Sequence, residues 1–253
     1  MLAGKTILVT GAAGLLGKAV VKHLFTQGAI VIATDLDKDL LAESLAANKV
    51  DITHDRLQLQ TLDLLNEDHV KGFFQNLDVL DGAVNCCYPR NVNYGKHFFE
   101  VTMKSFNQNV SMSLGSAFLL TQQCAAFFMR TKRPISLVNV ASIYGVVAPD
   151  FSIYQDTPMT MPVEYAAIKS ALIHLNKYAV NYIGDSAFRV NSVSPGGLLD
   201  GQPEAFLDAY KNKTLGQGML SSEDITGTIS YLLSQDSKFL NGQNLVVDDG
   251  FSL

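Results

Sequence analysis

Charge is what this sequence has little of, and the charge it carries is not basic. Only 17% of its residues are charged and the formal net charge is −5, so the cationic footprint of a general nucleic-acid binder is missing. No run of eighteen consecutive apolar residues occurs, which argues against a membrane span. The start, Met1–Leu2–Ala3–Gly4–Lys5, lacks the basic, apolar and cleavage segments of a signal peptide and enters a strand at once. Cysteines are few: Cys86, Cys87 and Cys124 form an odd set without metal-ligand spacing. No metal site is therefore expected, and free thiols fit a reducing cytoplasm. No repeat, low-complexity stretch or linker divides the chain. What is present is 253 residues, 47% of them hydrophobic, enough for one large α/β domain over 1–253 with a sizeable core.

Strand and helix patterns alternate. Short apolar runs predict strands at Thr6–Thr10, Ala29–Thr34, Leu57–Leu62, Asp81–Asn85, Ile135–Val140, Arg189–Val193 and Asn244–Gly250. Helical spacing covers Lys18–Phe25, Asp37–Asn48, a stretch through Phe73 and Phe74, Val101–Arg130 and Pro162–Tyr182, and Ser221–Asp224 opens a last long helix. The stretches 145–161 and 198–219 read as loop, and as polar mixed helix and loop. This alternation predicts a Rossmann-type, doubly wound, seven-stranded parallel sheet with helices on both faces. Its ligands would lie outside the carboxyl ends of the strands.

The first such end carries Gly11–Ala12–Ala13–Gly14–Leu15–Leu16–Gly17. Gly11 permits a tight turn, Gly14 lets backbone approach a pyrophosphate, and the helix that follows offers unpaired N–H groups and positive dipole. Asp35 ends the second strand, placed to accept hydrogen bonds from a ribose 2′-hydroxyl and to repel a 2′-phosphate; with no arginine following it, NAD is favoured over NADP. Asp37 is the better helix cap. Asp63–Leu64 ends the third strand, where Asp63 either meets the adenine edge or, like Asn66, starts a helix. Asn85 ends the fourth strand at the same crevice.

Tyr165 and Lys169 stand four apart on a helix and so share a face, where an ammonium favours ionisation of a phenol. The same spacing also describes a solvated lysine beside a half-buried ring. Asn109 lies inside a long helix with Ser113 and Ser116 on its face, and Ser142 follows the fifth strand on the sheet edge that carries the glycine turn. The loop 87–97 leaves a strand end, so Arg90 is a candidate contact for a substrate anion, with Lys96 and His97 solvated.

Taken together, Thr10–Gly17, Asp63–Leu64, the Asn85 strand end, Asn109, Ser142, Tyr165-x-x-x-Lys169 and Pro195–Gly196 resemble the short-chain dehydrogenase/reductase family, in order and along nearly the whole chain. The resemblance implies a catalytic tetrad. Tyr165 would be the general acid/base, Lys169 would lower its pKa and bind the nicotinamide ribose, Ser142 would polarise the substrate oxygen, and Asn109 would position a water of a proton relay. It also implies a cofactor site built from Gly11, Gly14, Leu15, Leu16, Gly17, Asp35, Asp63, Leu64, Asn85, Tyr165, Lys169, Pro195 and Gly196. A homodimer or homotetramer formed through the helices at 101–130 and 162–182 is implied as well.

Three departures stand out. The glycines read Gly-x-x-Gly-x-x-Gly, as in the extended branch that includes enzymes of nucleotide sugars. Asn85–Cys86–Cys87–Tyr88 replaces Asn-Asn-Ala-Gly. The gap from Ser142 to Tyr165 is 23 residues, with Tyr154 at the usual distance but followed four on by Pro158. Val147–Met161 is thus expected to be an insertion over the active site, with Tyr154 and Met161 as candidate substrate contacts. Tyr88–Asn91, Ser142–Val146, Met159–Tyr165 and Val247–Leu253 further resemble oxidoreductases of flagellin glycosylation, which implies a sugar or sugar phosphate as substrate. The expected activity is interconversion of a secondary alcohol and a ketone; the alternatives are a sugar epimerase or dehydratase, and a protein that senses NAD(H) without turnover.

Overall fold

Neighbouring residues in the strands serve two different cores. The computed structural model describes residues 2–155 and 157–253; Met1 and Asp156, the latter inside the expected loop, lie outside them. Strands β1 (Thr6–Thr10), β2 (Ile30–Asp35), β3 (Leu57–Thr61), β4 (Gly82–Asn85), β5 (Ile135–Val140), β6 (Phe188–Pro195) and β7 (Asn244–Val247) form one parallel sheet in the order β3-β2-β1-β4-β5-β6-β7. Ile7, Val9, Val31, Val84 and Val138 point to the side covered by α1 (Leu15–Thr26), α2 (Lys38–Ala47) and α7 (Glu223–Leu233). Leu8, Ile32, Ala83, Leu137 and Val190 point to the side of α3 (Glu67–Gln75), α4 (Met103–Thr131) and α5 (Val163–Ile183). Burial on both faces explains the unbroken apolar runs, each large side chain contributing about 1.5–3 kcal/mol. By length and composition α4 could cross a membrane, but half of its most apolar stretch is buried inside this fold.

One rung of the sheet is polar from edge to edge. Gln60, Thr34, Thr10, Asn85, Asn139, Ser192 and Asn244 are paired in register across the seven strands. The Thr10 hydroxyl donates to Asn85 Oδ1 (3.2 Å), Asn85 Nδ2 to Asn139 Oδ1 (3.0 Å), and Asn139 Nδ2 to Asn176 Oδ1 on α5 (2.8 Å). Buried amides survive there because each finds a partner in the next strand. This chain fixes the carboxyl ends of the central strands where the order reverses between β1 and β4, the switch point at which such sheets bind ligands.

The structure departs from expectation at several boundaries. Helix α1 begins at Leu15, three residues early. Strand β7 stops at Val247, because the Asp248 carboxylate accepts from the N–H groups of Gly250 and Ser252 and folds the chain into a turn. Strand β6 runs longer, from Phe188 to Pro195. At α7 the residue Ser222 makes no capping bond; Asp224 reaches back instead to the N–H and hydroxyl of Ser221, each at 2.8 Å. The polar stretch 198–219 contains a helix, α6 (Glu204–Lys211), as its mixed pattern predicts, and among the described residues of 145–161 the expected loop is broken by a short turn at Phe151–Tyr154.

Candidate active site

A cleft of about 850 Å³ opens over the carboxyl ends of the strands. At one end Gly11 turns the chain with φ +68, and a Cβ there would stand 2.9 Å from the backbone of Cys86 and Cys87. Only glycine meets both demands. Gly14 caps α1 without a side chain and no acid lies in the first turn, so the helix presents free N–H groups to the cleft. Asp35 Oδ2 accepts from the Ala13 N–H (2.9 Å) and Oδ1 from the Leu36 N–H (2.8 Å), which holds this carboxylate at the cleft. Asp37 caps α2 through the N–H groups of Asp39 and Leu40, and Asn66 caps α3. Asp63 is therefore not the cap; it lines the cleft with Leu64.

At the other end Ser142, Tyr165 and Lys169 share the wall. Tyr165 is half-buried at the cleft; desolvation pushes its phenol above the ordinary tyrosine value, with Ser142 pulling it down through a side-chain hydrogen bond. Burial pushes Lys169 the other way, down to about 8. Its Nζ donates to the Val140 carbonyl at 2.7 Å and stands 5.6 Å from the centre of the Tyr165 ring. In this arrangement the ammonium is held by backbone, and desolvation dominates the phenol. That differs from the simple picture of a lysine charge lowering its neighbour, and the cause is burial.

Asn109 is 1% exposed and lies behind the wall. Its Oδ1 accepts from the Asn91 N–H (2.9 Å) and its Nδ2 donates to Glu164 Oε1 (3.0 Å). Glu164 is fully buried, and its second oxygen has no partner among the described residues. Through Asn91 this chain fixes the loop 88–94. There the Tyr88 ring meets Tyr165 edge-on at 5.3 Å and Tyr94 at 5.6 Å, with the Arg90 guanidinium 5.4 and 5.7 Å from their centres. Arg90 thus reaches the cleft on an aromatic support, while Lys96 and His97 are exposed.

Of the residues singled out in the sequence, Gly11, Gly14, Leu15, Leu16, Asp35, Asp63, Leu64, Arg90, Ser142, Tyr154, Met161, Tyr165, Lys169, Pro195 and Gly196 all line the cleft. Gly17, Asn85 and Asn109 do not. Gly17 is a packing position: a Cβ there would lie 2.0 Å from the Gly11 carbonyl oxygen. Asn85 belongs to the amide chain of the sheet. Three features went unread. Gly145 lets the turn after Ser142 press on α5, where a Cβ would come within 2.7 Å of the Lys169 backbone; a glycine so close to a strand end is a signal of close approach. Glu164 gave no signal. Phe206 and Tyr210, four apart on α6, join Tyr154 and Met161 in an apolar cluster, and that spacing was readable. Cys86 and Cys87 line the cleft half-buried, and desolvation pushes both thiols up, Cys87 to about 12, which disfavours the thiolate.

A family model described as enoyl-(acyl carrier protein) reductase matches residues 11–252. Among curated proteins, the post-translational flagellin modification protein A of Campylobacter coli is 34% identical over the full length of both chains. The 7alpha-hydroxysteroid dehydrogenase of Bacteroides fragilis is 27% identical, over 98% of this chain and 95% of its own. A short chain dehydrogenase from Leptospira borgpetersenii, solved with bound NAD+, superposes with a TM-score of 0.88 at 29% identity, over 100% of this chain and 94% of that one.

Proposed function

The chain belongs to the short-chain dehydrogenase/reductase family, and from that premise we propose that it is an NAD-dependent oxidoreductase interconverting a secondary alcohol and a ketone on a sugar or sugar phosphate, in the making of a flagellin glycan. One observation carries the reading: a single cleft has the glycine turn and Asp35 at one end and Ser142, Tyr165 and Lys169 at the other. The residues fit NAD. The free N–H groups of α1 suit a pyrophosphate, and the Asp35 carboxylate suits a 2′-hydroxyl and disfavours a 2′-phosphate. Bound there, NAD supplies the hydride acceptor or donor.

The protein's part is proton transfer and orientation. Ser142 holds the substrate oxygen, and Tyr165 takes its proton in oxidation or returns it in reduction. A ribose hydroxyl competing with the Val140 carbonyl for Lys169 would free the ammonium to act on the phenol. Asn109, with its amide taken up by Asn91 and Glu164, would serve the relay from behind the wall, by holding the loop 88–94 against Tyr165. Arg90 would meet a substrate anion, with Tyr154 and Met161 on the opposite wall. The sugar assignment draws its support from the Campylobacter coli relative and from Arg90. The same reading treats 1–253 as one domain, the protein as cytoplasmic and the assembly as a homodimer or homotetramer; exposed Phe118 on α4 and Tyr178 and Tyr182 on α5 offer apolar surface for it.

The test is turnover of a panel of sugars and sugar phosphates with NAD and NADH, by wild type and Tyr165→Phe. Wild-type turnover lost in the variant supports the reading. NADH binding without turnover on a broad panel would point to a sensor, and product formation with no net NADH release to an epimerase or dehydratase, which the Gly-x-x-Gly-x-x-Gly spacing also suits.

A further inference from the structure

Five aromatic side chains from four separate segments close a ring at the substrate end of the cleft. The Tyr154 hydroxyl donates to that of Tyr144 at 3.2 Å. Tyr154 lies 5.2 Å from Phe206, and Phe206 lies 6.0 Å from Tyr210. Tyr210 stacks on Phe251 at 4.4 Å with 16° between planes, and Phe251 meets Tyr144 edge-on at 6.3 Å, which completes the circuit. Tyr144, Tyr154, Phe206 and Tyr210 line the cleft, while Phe251 stands behind them.

Two tethers give this ring leverage. The Tyr210 hydroxyl accepts the Gly197 N–H at 2.6 Å, which ties it to the turn after β6 that carries Pro195 and Gly196. The tail that carries Phe251 is itself anchored. Asp249 Oδ2 accepts from the N–H groups of Gly216 (3.1 Å) and Gly218 (3.0 Å), and the Asp249 carbonyl accepts from the Leu215 N–H (2.8 Å). Phe251 is therefore a fixed brace against Tyr210, with its back partly open to solvent.

We propose that Phe251 is a positioning residue for substrate selection: by holding Tyr210 and Tyr144 it shapes an aromatic wall that accepts a ring-shaped substrate through a non-polar C–H face, as a pyranose presents. The proposal rests on the reading of this cleft as the substrate site. Aromatic faces suit such a substrate because C–H surface packs on the ring while hydroxyls turn to polar groups on the other side. Arg90, which also lines the cleft, offers such a polar group.

The experiment compares wild type, Phe251→Ala and Phe251→Leu, each with NADH bound. Hydrogen exchange over 197–219 should quicken by about tenfold in Phe251→Ala, with β1–β5 unchanged, because one local brace is lost and not the fold. On the sugar panel, KM for pyranose substrates should rise about five- to tenfold, the loss of one aromatic pair. The turnover number and NADH affinity should stay near wild type, and Phe251→Leu should recover part of the effect. Unchanged exchange over 197–219 overturns the proposal whatever the kinetics. So does a rise in KM accompanied by a fall in kcat, NADH affinity and unfolding midpoint alike, which would mark Phe251 as structural only. If wild type itself turns over no sugar, the functional reading fails, and the exchange arm still judges the brace.

Discussion

Tyr165 and Lys169 pull each other's chemistry less than their spacing suggests, because both are desolvated. Oxidation needs the phenolate, and a phenol pushed up by burial delays its appearance to higher pH. The oxidation rate should therefore climb with pH and reduction should be favoured near neutrality. Above about 8, where Lys169 gives up its own charge, the support for the phenolate fades. Profiles of kcat/KM in both directions check this, and Lys169→Met should lower the oxidation rate below about pH 8 and leave the limb above it little moved. Tyr165→Phe should lower kcat by about 10²–10⁴ while NADH binding persists, the usual worth of a positioned acid/base. Glu164 invites a stability test. Glu164→Ala leaves the buried Asn109 Nδ2 unpaired and should cost about 1–3 kcal/mol. Glu164→Gln keeps the acceptor and removes a buried carboxyl with an orphan oxygen, so it should match or exceed wild type. Urea midpoints in the order Gln, wild type, Ala would bear this out.

At the scale of elements, the site depends on backbones that approach more closely than side chains permit. Gly17→Ala would drive a Cβ into the Gly11 carbonyl and push α1 off the turn; a loss of about 1–3 kcal/mol or more, with weakened NADH binding, should appear together in melting and titration. Gly145→Ala acts at the far end, where it would displace the Lys169 backbone. Its expected mark is a fall in kcat with NADH affinity less affected, read from steady-state kinetics beside a direct titration. These elements also show which parts of the structure were legible. The glycine turn, Asp35 and the Tyr-x-x-x-Lys step were readable because each is local: a motif of a few residues on one turn or one helix face. The stretch holding α6 read as mixed helix and loop and does contain a helix; what went unread is that Phe206 and Tyr210, at helical spacing on it, belong to the cleft.

Across the whole molecule, the two cores follow from alternation along the strands, so the sheet and its covering helices were implicit in the apolar runs. What was not implicit is who meets whom. Periodicity says which face of a segment is buried but not which partner buries it. Tyr88 on Tyr165, Glu164 on Asn109 and Phe251 on Tyr144 all join segments far apart in the chain. The polar rung belongs to the same class: Asn85 reads as a crevice residue in sequence, yet in the fold its amide is consumed by Thr10 and Asn139. Asn85→Leu should accordingly destabilise the protein, taking the acceptor from the Thr10 hydroxyl and the donor from Asn139 Oδ1, at about 1–3 kcal/mol for each buried group orphaned; calorimetry would register it.

The aromatic ring also has a consequence for how the protein is made. A ribosome releases the glycine turn, Asp35 and the tetrad well before it adds Phe251, so the cofactor half can be complete on a chain whose substrate wall still lacks its last member. Leu253, two residues beyond, is 98% exposed. A polypeptide that stops short of Phe251 should keep the glycine turn and Asp35 in place while its aromatic wall stands open on one side.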